Sequence, residues 1–242
     1  MKVLLSLKTG KKFRIDDISV DYHCKEGTIK KQDLNNNGII ESNLGFKFLN
    51  SDMNNYDKSL KIKRGPQILI NKDLGYIIAR TRINKNSTIV EAGGGSGAAT
   101  IFFANLVKKV ITYEIIEKHS EIIEHNLKKS NITNVKLYNK DLEEDIEKIK
   151  NYDLLFLDLP EPMNILNKNL KGLNPSSYIV CYLPSIFQIH ELVNQVTKYE
   201  HYFIEEVSEI IHREWKINSR VSRPEHQKQT DHTAFLVFIR KI

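Results

Sequence analysis

The sequence predicts a doubly wound α/β sheet that closes on an antiparallel hairpin, with a small β module in front of it. Three observations carry this. From Gln67 onward apolar strand-like runs alternate with helical stretches, which is the order of a parallel sheet covered on both faces. The last two β runs, Tyr202–Trp215 and Thr233–Arg240, have no helix between them and so pair antiparallel. Before residue 60, short segments are separated by Gly, Asn and Asp clusters, the pattern of a small β unit.

In the first part, Met1–Leu7, Phe13–Ile15, Ile39–Glu41 and Gly45–Leu49 read as strands, and Asn35-Asn36-Asn37-Gly38 reads as a turn. Residues 1–60 are taken as this module and 61–242 as the main domain. In the main domain the alternation predicts a helix over 73–82, strand 88–92, helix 98–107, strand 109–113, helix 117–130 and strand 135–138. A helix over 142–149, strand 153–158, strand 177–182 and a helix from Ser185 to Lys198 follow.

A chain of 242 residues that is 40% hydrophobic can bury a full core. No apolar run approaches a membrane span, and the apolar stretch after Met1 is too short for a signal peptide, so a cytoplasmic protein is expected. Cys24 and Cys181 are far apart and lack metal-ligand spacing; Cys181, inside Tyr178–Tyr182, is expected to be a core thiol. No metal is expected. The net charge of +6 suits a polyanionic partner.

The chemistry concentrates in Ile89-Val90-Glu91-Ala92-Gly93-Gly94-Gly95-Ser96-Gly97, a strand that runs through an acid into alternating glycines and then a helix. Such a loop brings backbone close to a ligand, with Ser96 and free N–H groups at the next helix facing it. The G-x-G-x-G spacing, with Glu91 two residues before Gly93, favours S-adenosylmethionine over a dinucleotide, because a carboxylate there meets a cationic ligand rather than a pyrophosphate. Val110–Glu114 and Val135–Asp141 are two further runs ending in acids. Glu114 is placed to accept from both ribose hydroxyls, and Asp141 to accept from the adenine amino group.

Tyr152–Asp158 is an apolar strand ending in a fourth acid, followed at once by Leu159-Pro160-Glu161-Pro162. The prolines stiffen the exit and hold Asp158 beside the methyl donor, where it can stabilise positive charge on an alkylated adenine or accept from the exocyclic amine. Glu161 is the weaker candidate. Gln67, in Lys61-Ile62-Lys63-Arg64-Gly65-Pro66-Gln67, is placed near the cofactor's methionine end. Arg213, Lys216, Arg220 and Arg223, with one tryptophan and the later His232, form the best candidate patch for RNA phosphates.

Arg64-Gly65-Pro66-Gln67, Lys72-Asp73, Glu91-Ala92-Gly93 with Gly95-Ser96-Gly97, Asp158-Leu159-Pro160-Glu161-Pro162, Arg223-Pro224 and His232-Thr233 together resemble the tRNA adenine-N1 methyltransferases that modify the T-loop. The resemblance covers most of the chain and implies a Rossmann-like class I methyltransferase fold, S-adenosylmethionine as donor, tRNA as partner, a homotetramer, and Asp158 as the active-site aspartate. The base must then be extracted from the tRNA fold before its Watson–Crick edge is reached. The chain departs from the family at Ile70 and Asn71, which stand for a tyrosine and a proline, at Gly94 for a threonine, and at Met163 for a tryptophan. Two rival readings remain: a methyltransferase acting on a tetrapyrrole precursor or a protein carboxylate, and a non-catalytic RNA-binding subunit of a tRNA methyltransferase.

Overall fold

The computed structural model describes residues 1–242 apart from 55, 56, 59–61, 64, 66–68, 219 and 226–231. The chain forms two compact units, Met1–Lys61 and Ile62–Ile242.

The first unit holds strands β1 (Lys2–Ser6), β2 (Lys12–Ile15), β3 (Tyr22–Cys24), β4 (Gly27–Ile29), β5 (Gly38–Glu41) and β6 (Lys47–Asp52), with a one-turn helix α1 (Lys31–Leu34). Four of them form an antiparallel sheet in the order β2-β1-β6-β5, and β3 and β4 form a two-stranded sheet of their own. Leu4, Ile15, Ile29, Leu34 and Phe48 make its core. Buried Asn50 sends its amide to the carbonyls of Asp33, Leu34 and Asn36, so one side chain satisfies the end of α1 and the turn after it. The β3–β4 hairpin and α1 were not expected; three-residue strands leave too short a pattern to read.

The second unit contains α2 (Asn71–Arg80), β7 (Thr88–Ala92), α3 (Ala98–Ala104), β8 (Lys109–Tyr113), α4 (Glu117–Lys129), β9 (Val135–Tyr138), β10 (Tyr152–Leu157), α5 (Met163–Leu166), β11 (Leu173–Leu183), α6 (Ile186–Val196), β12 (Tyr202–Glu209), β13 (Trp215–Ile217), β14 (Ser222–Pro224) and β15 (Phe235–Lys241). Seven strands form one sheet in the order β12-β15-β11-β10-β7-β8-β9. β11, β10, β7, β8 and β9 are parallel, and β15 runs antiparallel between β11 and β12. The expected closing hairpin is therefore present, with its second strand inserted one place inward.

Alternation along the strands fills both faces. Val90, Leu155, Leu157, Ile179, Cys181 and Val237 pack on one side with Ile189, Leu192 and Val196 of α6. Ile89, Val110, Phe156, Val180 and Phe238 pack on the other with Leu74 and Ile77 of α2. Cys181 is fully buried, and burial pushes its thiol up.

Two expectations are corrected. Residues 142–149 are not a helix but two 3-10 turns, Leu142–Glu144 and Ile146–Lys148, meeting at Asp145, whose carboxylate pairs with Lys140 and Lys148. A stretch this short gains little from helix propagation, and its backbone bends at Asp145 instead. The run Tyr202–Trp215 breaks at Glu209, and Trp215 opens the separate β13–β14 hairpin.

Candidate active site

The carboxyl ends of parallel strands reach the same edge of a sheet, and the loops leaving them surround a cavity of about 450 Å³. Gly93–Ser96 form one wall, Glu114 and Asp141 a second, and Asp158, Tyr182 and Thr233 a third. The sequence reading brought Gly93, Gly95, Ser96, Glu114, Asp141 and Asp158 to this one place. Tyr182 and Thr233 were missed as wall residues, although Tyr182 stands at a strand's carboxyl end beside that of Asp158, which was signal enough to find it.

Gly93 has a φ of +86°, and a Cβ there would lie 2.1 Å from the Asp158 carbonyl oxygen. The bare backbone thus lets the β7 and β10 exits touch, a contact fixed from the other side by the Asp158 N–H on the Ala92 carbonyl at 3.0 Å. At Gly94 a Cβ would meet Ile123 Cδ1 at 2.7 Å and Thr112 Oγ1 at 2.8 Å, so those two side chains fill the space that the family's threonine would need.

Four glycine N–H groups of the loop are engaged within the protein. The N–H groups of Gly93 and Gly94 donate to the Tyr113 carbonyl, that of Gly97 to the Gly94 carbonyl, and that of Gly95 to Glu114 Oε2 at 2.8 Å. They shape the loop. Gly97, the residue before α3, is not on the cavity wall.

Glu114 is 5% exposed and takes a second N–H, from Ile116, on Oε1 at 2.9 Å. The carboxylate is thereby locked in one orientation on the wall, with lone pairs left for paired hydroxyls. Exposed Asp141 caps Glu143 through one oxygen at the cavity rim. Glu161 is not on the wall; it accepts from Asn164, a local role.

Glu91 is corrected more sharply. It is fully buried behind the glycine loop and does not line the cavity. Its strand parity turns it inward, where Oε2 accepts from Thr100 at 2.5 Å and Oε1, beside Thr112, has no hydrogen bond of good geometry. Burial raises its carboxyl to about 7, helped by the charges of Asp158 and Glu114. Asp158 is raised to about 7 as well, by burial and then by Glu114.

Both acids thus hold protons in the folded, ligand-free protein that the unfolded chain releases near pH 4. Their contribution to stability is full below about pH 4 and is lost as pH rises to about 7. The melting temperature of the ligand-free protein is expected to fall across that window, and Glu91→Gln to flatten the fall. A profile that is flat in the unaltered protein would mean that both acids are already ionised.

Gln67, with Arg64 and Pro66, lies outside the described residues, as does the stretch 226–231 between Arg223 and His232. Arg213, Lys216, Arg220 and Arg223 are exposed on or beside the β13–β14 hairpin, together with Trp215. Lys216 faces Arg223 directly across the ladder. Like charges so placed destabilise a strand pair, a cost that a bound phosphate offsets. His232 does not fit the patch: its Nδ1 lies 2.6 Å from Glu209 Oε1 and its Nε2 2.7 Å from the Pro184 carbonyl, so both ring nitrogens are engaged within the protein. No helix among the described residues is long and apolar enough to cross a membrane, and no group of three or more metal-ligating side chains occurs among them.

Residues 58–234 match the family model described as the tRNA methyltransferase complex GCD14 subunit. The tRNA (adenine(58)-N(1))-methyltransferase TrmI of Thermus thermophilus is 30% identical, over 91% of this chain and 88% of its own. A solved structure of the tRNA (m1A58) methyltransferase TrmI from Aquifex aeolicus superposes with a TM-score of 0.79 at 29% identity, covering 100% of this chain and 96% of that one. A SAM-dependent O-methyltransferase from Thermotoga maritima gives 0.81 at 25% identity, covering 100% and 92%.

Proposed function

Because the chain belongs to the GCD14 family of tRNA methyltransferases, we infer that it methylates N1 of an adenine in the T-loop of tRNA, with S-adenosylmethionine as donor. The observation that carries this reading is the meeting of the glycine loop with Asp158 in one cavity: a donor wall and an acceptor acid joined through Gly93.

The residues present fit the donor. The absent Cβ at Gly93 and Gly94 lets the loop pack tightly on Asp158, Ile123 and Thr112 while its backbone lines the cavity, Glu114 offers a carboxylate for a ribose diol, and Asp141 stands at the rim for an adenine amino group. Glu91 is buried with one oxygen unsatisfied, and a bound cation would favour its ionised form. The donor supplies a methyl group on a sulfonium, and its positive charge passes to the adenine ring as N1 is alkylated.

Asp158 meets that charge from the opposite wall. Its ionised form stabilises the developing adeninium and accepts from the exocyclic amine, which orients N1 toward the donor. Tyr182 and Thr233 close the same side. The exposed cations of the hairpin grip phosphates and leave the base free to enter the cavity. The protein acts where tRNA matures, in the cytoplasm, as the family's homotetramer; Phe203 and Val207, exposed on edge strand β12, offer apolar surface for such assembly.

Incubation with labelled S-adenosylmethionine and unmodified tRNA transcripts, followed by nucleoside mass spectrometry, tests the reading. Label in 1-methyladenosine is expected. Donor binding with no labelled RNA would move the small-molecule or protein-carboxylate reading ahead. For the RNA surface, Arg220→Glu with Arg223→Glu is expected to lower tRNA affinity about tenfold or more and to reduce the salt slope by about one per lost phosphate contact. Donor affinity stays unchanged. An unaltered slope in a salt titration would clear both arginines of phosphate contact.

A further inference from the structure

Lys72 opens α2 with its side chain only 5% exposed, next to fully buried Asp73. An ammonium has three donors, and all three are placed: on Asp73 Oδ1 at 2.8 Å, on the Ile210 carbonyl at 2.5 Å and on Thr233 Oγ1 at 2.6 Å. Thr233 in turn donates to Asp73 Oδ2 at 2.8 Å. Tyr182 lies beside the same pair, Thr233 and Asp73. The network therefore joins residues 138 and 161 positions apart in sequence.

Its position in the chain gives it meaning. Ile210 is where the backbone leaves β12 for the basic hairpin, and Thr233 is where it returns to β15. Arg213, Lys216, Arg220 and Arg223 all lie between these two roots. A second bond ties the same roots, since His232 bridges Glu209 and the Pro184 carbonyl. Both of its partners are acceptors, so the ring must donate from both nitrogens, as an imidazolium does. Thr233, Tyr182 and Pro184 are at once roots or neighbours of the roots and walls of the cavity. A buried ion pair is weak as a stabiliser, because apolar residues of the same volume often do as well, so what distinguishes this one is the pair of chain segments that it joins.

We propose that Lys72 is a positioning residue, which through Ile210, Thr233 and Asp73 holds the basic hairpin in register with the cavity wall that receives the base. This rests on the tRNA methyltransferase reading. The hairpin sets where phosphates are gripped and the wall sets where N1 must stand. One buried cation makes the two a single rigid ruler.

The test uses Thr233→Val, which removes the hydroxyl at nearly constant volume and leaves the Lys72–Asp73 pair in place, and Thr233→Ser, which restores it. Trp215 is the chain's one tryptophan and stands on the hairpin, so its fluorescence anisotropy reports hairpin motion without any RNA. Thr233→Val is expected to lower that anisotropy and, by leaving Lys72 and Asp73 each short of a partner, to lower the melting temperature by a few degrees, while Thr233→Ser keeps both near those of the unaltered protein. With tRNA, kcat falls about tenfold in Thr233→Val while the tRNA dissociation constant stays within about threefold, because phosphates are still gripped but the base is misplaced. Lys72→Met, if folded, reproduces the effect, and the double variant is no worse than Lys72→Met alone, since both break one link. Unchanged anisotropy in Thr233→Val, or a serine variant as defective as the valine one, overturns the proposal. If anisotropy responds as expected and the unaltered protein methylates no tRNA, the clamp stands and the functional reading falls.

Discussion

Asp158→Ala is expected to leave donor affinity within about twofold and to lower methyl transfer to tRNA by about a hundredfold or more, the size seen when a group aimed at developing charge is removed. In the proposed reading Asp158 serves the acceptor, whereas the donor is held by Gly93–Ser96 and Glu114, which line the same cavity and which the substitution leaves alone. Asp158→Asn separates two contributions. It keeps an acceptor for the exocyclic amine and loses the charge, so activity recovered in the asparagine variant would assign the effect to hydrogen bonding. The carboxyl sits near 7 in the ligand-free protein, raised by burial and by Glu114. The unaltered enzyme should therefore gain activity as pH rises through about 7 and the carboxylate forms, while the asparagine variant stays flat across that range. Single-turnover rates with labelled donor, alongside calorimetric donor titration, check both statements. Full activity in Asp158→Ala would take the residue out of the mechanism.

What was legible in the sequence follows from how far each signal reaches. Thr88–Ala92, Lys109–Tyr113 and Val135–Tyr138 were bounded correctly because each is a short run that ends at a glycine, an acid or an asparagine. The acids at their ends were legible for the same reason, since parallel strands that leave at one edge bring their last residues together. Glu91 broke that logic: it is one residue short of its strand's end, and the pleat turns it behind the loop. The use of Gly93 was invisible, because nothing in a G-x-G-x-G spacing says that the backbone it must admit is that of Asp158. The Lys72 network was invisible as well, since its partners are separated by more than half the chain. His232 read as one more basic residue until the acceptors around it were seen.

Gly93→Ala should do what Asp158→Ala does not, and remove donor and acceptor functions together. The new methyl group would stand 2.1 Å from the Asp158 carbonyl oxygen and 2.9 Å from its carbon, at a φ of +86° that disfavours any side chain. Neither partner can step aside cheaply. The Gly93 N–H is held by the Tyr113 carbonyl at 3.0 Å, and the Asp158 N–H by the Ala92 carbonyl at 3.0 Å, so separating the exits breaks the sheet's edge on two strands. Overpacking plus a strained φ is expected to cost about 3 kcal/mol or more, which for a chain of this size is a fall of about 10 °C in melting temperature. Gly75→Ala is the matching control: it stands on an exposed face of α2 with no atom within 4 Å of its would-be Cβ, and should stabilise slightly. Thermal melts of the two variants measure the contrast. Gly93→Ala protein that melts like the unaltered chain would mean that the two exits are not in contact in solution. If the contact is real, whatever variant remains folded must have moved Asp158 as well as the glycine loop, so it should bind donor weakly and transfer little, whereas Asp158→Ala binds donor normally and transfers little. The two phenotypes together locate the junction between the walls at Gly93 rather than at the carboxylate itself.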